Sequence, residues 1–333
     1  MPALAVADAL RADGAEVVFI GGERSERELV PAAGYELHSL TVRPLTRGRP
    51  LAAARAVAVD LGAVAGARGL IARLRPAAAL GAGGYAAGPV GLAAALSRVP
   101  LVLMEADSHL GITNRLLAPF ARRVCLAVPI TGRDGGRYRV TGRPIPEPAG
   151  DRSAARARFA IPEGDRCVLV FGGSQGARSI NEAALEAFTG AGFRVLHAAG
   201  ERDLGMLRAP GPHYDLRGWI PDLRDAIAAC DVVVARSGGS VWEIAAHGRP
   251  MVLIPYPHSA AGHQERNAEI FERRGAAVVI DDRQLNGARL AQEVGRLLAD
   301  PGLMAAMGRA AAALARPQAA REVADELLAA AGR

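Results

Sequence analysis

The run Asp231-Val232-Val233-Val234-Ala235-Arg236-Ser237-Gly238-Gly239-Ser240-Val241-Trp242-Glu243 decides the fold. Its apolar start reads as a strand buried on both faces, the mark of a parallel sheet. Glycine and serine follow at once and a helical segment comes next. Residues 237–240 therefore occupy the turn after the strand's carboxyl end, where open α/β sheets take their ligands. Glycines there let the backbone come close to a phosphate or sugar, and Glu243, one turn into the helix, can accept from two vicinal hydroxyls. A second apolar strand at 251–255 leads to His263-Gln264-Glu265-Arg266-Asn267-Ala268. If a helix starts near Gly262, Gln264 and Asn267 share one face and offer the mixed donors and acceptors that suit a sugar. The plainer alternative is an ordinary βαβα unit with polar residues at its helix starts.

The same grammar recurs outward along the chain. Residues 167–171 form a buried strand ending in Gly172-Gly173-Ser174-Gln175-Gly176-Ala177-Arg178, with a helix from 179. Gly173, Ser174 and Gln175 there present successive N–H groups suited to phosphate. Residues 76–80 run into Gly81-Ala82-Gly83-Gly84-Tyr85 and a helix over 88–96, a weaker version of that arrangement. The strand at 101–104 carries Glu105, Asp107, Ser108 and His109 at its end. Thr113-Asn114 then enters an apolar helix with Leu116, Leu117 and Phe120. His109 reads as an exposed loop histidine as readily as a proton carrier. Gly142-Arg143-Pro144-Ile145-Pro146-Glu147-Pro148-Ala149-Gly150, with three prolines, reads as the interdomain linker. Further strands are expected at 122–128, 138–140, 194–197, 214–216 and 276–280. Trp219, before Ile220-Pro221, suits either a base ring or plain core.

The chain opens on a helix to Arg11, then a strand over 16–20, a helix over 25–30 and a strand over 35–40. A loop with Arg43, Arg47 and Arg49 precedes a long helix over 51–74 that carries Arg55, Arg68 and Arg73. This basic stretch suits an anionic lipid surface or a simple solvated face. Three Ala/Leu-rich helices, separated by Pro301 and Pro317, close the chain.

At 333 residues, 50% of them hydrophobic, the chain is long enough for two domains. It has no lysine, so all 40 basic residues are arginine, and the net charge of +6 favours an anionic partner. With only 4% aromatics there are no stacking platforms among the basic residues, which argues against nucleic acid. Cys125, Cys167 and Cys230 lie in apolar runs without metal spacing and read as buried core in a reducing compartment. No apolar stretch approaches the ~18 residues of a membrane span, and the amino terminus lacks the basic region of a signal peptide. The expected location is cytoplasmic.

Taken together, these motifs resemble the GT-B glycosyltransferases and, closely, the MurG family of glycosyltransferase family 28. The resemblance rests on Gly81-Ala82-Gly83-Gly84-Tyr85, Gly111-Ile112-Thr113-Asn114, Gly172 to Arg178, Arg236-Ser237-Gly238 with Glu243, and His263 to Ala268, in the family's order. It implies two Rossmann-like, doubly wound parallel-sheet domains with the active site in the cleft between them. An acceptor-binding domain would span 1–146, a donor-binding domain 147–316, and a helix at 317–333 would pack back on the first. The implied reaction is inverting transfer of N-acetylglucosamine from UDP-N-acetylglucosamine to the 4-hydroxyl of undecaprenyl-diphosphate-muramoyl-pentapeptide (lipid I), forming lipid II for peptidoglycan, with no obligatory cofactor or metal.

By that resemblance the donor contacts are Gly173, Ser174 and Gln175 at the diphosphate, Ile220 at the uracil, Glu243 on the ribose, and Gln264 and Asn267 on the sugar. Gly83, Gly84, Tyr85 and Asn114 would meet the acceptor. Peripheral attachment to the inner face of the cell membrane and contact with cell-wall synthesis proteins are implied as well. Other readings are a GT-B transferase with a diacylglycerol or natural-product acceptor, and a nucleotide-sugar-binding protein without turnover.

The sequence departs from the family in three places. The family opens with a strand and a Gly-Gly-Thr-x-Gly-His loop, whereas Pro2-Ala3-Leu4-Ala5-Val6-Ala7 matches the helix that follows it. The expectation is a start-site truncation with the family's base upstream, which leaves Glu105 and Asp107 as the nearby carboxylates. Gly142-Arg143-Pro144-Ile145-Pro146 replaces the family's Gly-Asn-Pro-Val-Arg, and the loop between Gly238 and Glu243 is one residue short.

Overall fold

The computed structural model describes residues 1–22, 26–42, 50–173, 175–259 and 262–332. Arg43, Arg47, Arg49 and Ser174 lie outside the described residues, as do the side chains of Arg55 and Tyr85. The chain divides into two compact units, Met1–Pro146 with Arg316–Arg333, and Glu147–Ala315.

The first unit runs α1 (Pro2–Ala12), β1 (Val18–Gly21), α2 (Glu26–Ala32), β2 (Glu36–Ser39), α3 (Pro50–Leu74), β3 (Ala79–Gly81), α4 (Gly84–Leu96), β4 (Leu101–Glu105), α5 (Ile112–Leu117), β5 (Arg123–Leu126) and β6 (Tyr138–Val140). A single 3-10 turn, Ala118–Phe120, extends α5. β3, β4, β5 and β6 form a parallel sheet in that order, while β1 and β2 pair in a parallel sheet of their own. β4 is buried along its whole length, as its unbroken apolar run predicts.

The helix expected from Gly88 begins instead at Gly84. Gly83 and Gly84 both adopt left-handed φ, +83° and +79°, with no atom within 4 Å of an added Cβ. The requirement there is backbone conformation rather than space. The turn lets α4 start directly after β3, and Pro89 is carried inside the helix.

The second unit runs α6 (Arg152–Arg158), β7 (Cys167–Phe171), α7 (Arg178–Ala187), β8 (Arg194–Ala198), α8 (Glu201–Leu204), β9 (Tyr214–Arg217), α9 (Leu223–Ala229), β10 (Val232–Ala235), α10 (Val241–Ala246), β11 (Met251–Leu253), α11 (His263–Arg273), β12 (Ala277–Val279), α12 (Gly287–Ala299) and α13 (Pro301–Leu314). Its parallel sheet has the order β12-β11-β10-β7-β8-β9. The chain winds outward from β7 to β9, returns beside β7, and winds the other way to β12, which places a topological switch between β7 and β10. Phe171 and Ala235 are register partners there, so the loops after both strands leave the sheet side by side. Val168, Val170, Val232, Val234, Ile180 and Leu290 are among the buried residues of the core beneath; each large apolar side chain so buried contributes about 1.5–3 kcal/mol.

The last helix, α14 (Ala319–Ala330), belongs to the first unit. Val323, Ala324 and Leu327 complete a core with Val6, Val102, Met104 and Cys125. Glu326 accepts from Arg123 Nε at 2.7 Å and Arg139 NH1 at 2.6 Å. These guanidinium groups hold its carboxyl below the usual glutamate range against the opposing effect of burial.

Candidate active site

In the second unit, the loops after the strands are fastened by a backbone contact between the β7 and β8 loops and by one arginine that reaches across the switch. A Cβ on Gly176 would lie 2.1 Å from Ala199 O, and one on Gly200 would lie 2.7 Å from Gly176 Cα. Only glycine at both positions allows the β7 and β8 loops to touch. Behind this contact, Asn181 donates to Ala199 O at 2.9 Å and accepts at Oδ1 from His197 Nε2 at 3.0 Å, while Tyr214 donates its hydroxyl to His197 Nδ1 at 2.7 Å. The assignment follows because Asn181 Nδ2 faces a carbonyl, which fixes the amide and hence the tautomer. Burial pushes His197 down to about 4 from an ordinary 6.5, so the imidazole is neutral.

α7 begins at Arg178 with no side-chain cap on its first turn. Its amino-terminal N–H groups and Gly173 and Gln175, both exposed, form the anion-binding type of turn that the sequence indicates.

Arg236, 8% exposed, is the fastening missed by the sequence reading. Its guanidinium donates to Asp282 Oδ1 at 2.6 Å, Ile254 O at 3.2 Å, Pro255 O at 3.1 Å and Ser179 Oγ at 3.0 Å. Ser179 Oγ in turn donates to Asp282 Oδ1 at 2.7 Å. One side chain thus joins the start of α7 to the loops after β10, β11 and β12.

Glu243 sits in the first turn of α10, and α11 starts at His263, directly after Gly262, as the spacing predicts. Gln264 accepts from Tyr256 N at 3.0 Å. Its Nε2 lies 3.9 Å from where a Cβ on Gly238 would stand. Asn267, 3% exposed, donates to Ser237 O at 3.0 Å. Both amides therefore meet the 237–238 turn, and Asn267 spends a donor on holding it. Ile220 is buried at 3%, whereas the neighbouring Trp219 is 53% exposed.

In the first unit, Glu105 closes β4 with its carboxylate turned inward. Oε2 accepts from Gly111 N at 2.8 Å and Asn114 Nδ2 at 2.9 Å, and Oε1 from Asp107 N at 3.2 Å. Asn114 Nδ2 also donates to Met104 O at 3.0 Å, while its buried Oδ1 meets no partner. Glu105 is thereby built into the loop as its organiser. Asp107 is the more open carboxylate, its side chain 41% exposed, with Arg143 NH1 3.8 Å away. Arg143 also donates to Ala106 O at 2.8 Å, so the arginine in place of the family's asparagine braces this loop. Gly83 and Gly84 form the turn that opens α4.

Comparison with known proteins follows the same division. The glycosyltransferase family 28 N-terminal domain matches residues 1–126 and its C-terminal domain residues 167–323. A UDP-N-acetylglucosamine–N-acetylmuramyl-(pentapeptide) pyrophosphoryl-undecaprenol N-acetylglucosamine transferase of Rubrobacter xylanophilus is 40% identical over 331 residues, 98% of either chain. This chain belongs to the MurG family of glycosyltransferase family 28. Another MurG-family protein bearing that name, from Halorhodospira halophila, is 42% identical over 97% of this chain and 92% of its own. The crystal structure of Acinetobacter baumannii MurG aligns with a TM-score of 0.75 at 26% identity, covering 98% of this chain and 95% of that one. The calicheamicin glycosyltransferase CalG4, at 19% identity and a TM-score of 0.72, shares the fold. The two parallel-sheet domains are those of a GT-B glycosyltransferase.

Proposed function

We propose that this MurG-family chain is an inverting hexosyltransferase that moves N-acetylglucosamine from UDP-N-acetylglucosamine to the 4-hydroxyl of undecaprenyl-diphosphate-muramoyl-pentapeptide, forming lipid II. The observation that carries this reading is the near full-length identity of about 40% to transferases named for that reaction. The loops joined at the β7/β10 switch supply a physical basis for the donor half.

In this reading the donor diphosphate lies against Gly173, Ser174, Gln175 and the open first turn of α7, where N–H groups stabilise the charge that develops on the departing UDP. Glu243 accepts from the ribose hydroxyls, Ile220 meets the uracil through its backbone, and Gln264 with Asn267 addresses the sugar. Gly83, Gly84, Tyr85 and Asn114 receive the acceptor, with the unpartnered Asn114 Oδ1 offering an acceptor atom to a hydroxyl. Among the described residues no helix is long and apolar enough to cross a membrane; the lipid acceptor is met by peripheral attachment to the inner membrane face.

The test is transfer of labelled sugar from UDP-N-acetylglucosamine to a muramoyl-pentapeptide lipid, beside diacylglycerol and an acceptor-free control. Transfer to the muramoyl lipid alone is expected. Transfer to diacylglycerol instead, or tight UDP-N-acetylglucosamine binding with no turnover on any acceptor, overturns the assignment.

A further inference from the structure

α10 is only six residues long, and its last turn is held from outside the helix. His247, half-buried at its carboxyl end, uses both ring nitrogens. Nδ1 donates to Glu243 O at 2.7 Å, and Nε2 accepts from Ala149 N at 3.1 Å. A backbone N–H can only donate, so Nε2 carries no proton and Nδ1 carries one. Ala149 belongs to the proline-rich linker, whose Glu147 O accepts from Arg224 NH1, on α9, at 3.2 Å. One imidazole therefore joins the linker, itself tied to α9, to the residue whose carboxylate is assigned to the ribose. All of these residues lie in the second unit.

The ring is not needed to stop the helix. Gly248, with φ of +60° and its N–H on Ala245 O at 2.9 Å, already does so. Around the imidazole stand Arg224 and Asp225 of α9 and Arg249, which follows α10. Burial, helped by the two guanidinium groups, pushes its pKa down against the opposing pull of Glu243 O and Asp225. The ring is neutral near pH 7, the form in which it makes both bonds. A carboxylate that serves two vicinal hydroxyls must be held to within about 0.5 Å, which a frayed six-residue helix would not do.

We propose that His247 is a positioning residue for ribose recognition, tying the linker at Ala149 to Glu243 so that the Glu243 carboxylate stands where it accepts from both ribose hydroxyls. This rests on the donor reading above and adds to it the side chain that aims the ribose contact. The linker then serves as scaffold for the donor site as well as a spacer in the chain.

Calorimetry on the full chain with UDP and with 2′-deoxyuridine diphosphate tests the proposal. Wild type is expected to prefer UDP by about tenfold or more, the worth of one hydrogen bond to a charged group. In His247→Ala the preference should shrink to about threefold or less, with KM for UDP-N-acetylglucosamine up about fivefold and kcat within about twofold. His247→Gln, whose amide can donate to Glu243 O and accept from Ala149 N, should restore the preference. Wild-type preference should also fade as pH drops well below the ordinary imidazole value of about 6.5, because a protonated ring loses the Ala149 bond, while that of His247→Gln stays level. Titration of the diphosphate is common to both ligands and cancels in the ratio. A purely structural role would lower both affinities together; an unchanged ratio in His247→Ala, or parallel pH profiles in wild type and His247→Gln, overturns the proposal. If His247→Ala does not fold, the pH comparison decides. Wild type that binds UDP no better than its deoxy analogue overturns the proposal as well, whereas wild type that binds neither refutes the donor reading on which it stands.

Discussion

Replacing Arg236 by methionine keeps much of the side-chain volume and removes all four donated hydrogen bonds at the centre of the second unit. Breaking a buried ion pair by deleting one partner costs about 3–5 kcal/mol. The lower end applies here, because the Asp282 side chain is 21% exposed and keeps its bond from Ser179. A loss of about 3 kcal/mol, with a urea dependence of ~2 kcal/mol per molar, moves the midpoint down by roughly 1.5 M. Both tryptophans, Trp219 and Trp242, lie in the second unit, so their emission reports its transition. Asp282→Asn should cost about 1–2 kcal/mol less in the Arg236→Met background than in wild type, since the pair has already been broken. UDP-N-acetylglucosamine should also bind at least about tenfold more weakly, because the loops after β10, β11 and β12 lose their common tie. A midpoint shift below roughly 0.5 M, or additive single effects, would refute the view that Arg236 fastens these loops.

Glu105→Gln can keep its carbonyl oxygen toward Gly111 N and Asn114 Nδ2 and lose only the long bond from Asp107 N. Turnover within about tenfold of wild type is expected, whereas a drop of 10²-fold or more with unchanged melting would mark Glu105 as the base instead. Gly176→Ala drives a methyl group into Ala199 O, so calorimetry should show UDP-N-acetylglucosamine affinity falling well below that of Gly192→Ala, where the added methyl meets nothing within 4 Å. His197 is neutral when folded and gains a proton more readily when unfolded. Its contribution, on the order of 3 kcal/mol, is present above pH ~6.5 and lost as pH falls toward about 4. His197→Gln should flatten the stability profile over that window, and an unchanged slope in urea titrations from pH 4 to 7 would contradict the burial argument.

The alternation of strands and helices was legible because strands such as Cys167–Phe171 and Val232–Ala235 are unbroken apolar runs, buried throughout. The glycine turns after them were legible for the same reason. Helices α6 and α9 escaped notice: Arg-Ser-Ala-Ala-Arg-Ala-Arg has no apolar period, and α9 spans only seven residues. Tertiary ties left no local trace. Arg236 and Asp282 are 46 residues apart and Arg123 and Glu326 203 apart, so no periodicity connects them. Nor does sequence distinguish a carboxylate open to substrate from one saturated by N–H groups, which is how Glu105 read as a candidate base.

The first unit is interrupted in sequence: its core around Val6, Val102 and Met104 is finished by Val323, Ala324 and Leu327, made only after all of Glu147–Ala315. On the ribosome, the second unit can therefore reach its native state while the first still exposes an unsealed apolar seam. Chaperone dependence and protease sensitivity should concentrate in the earlier-made segment, and a stop codon near Arg316 would damage residues synthesised at the opposite end of the polypeptide.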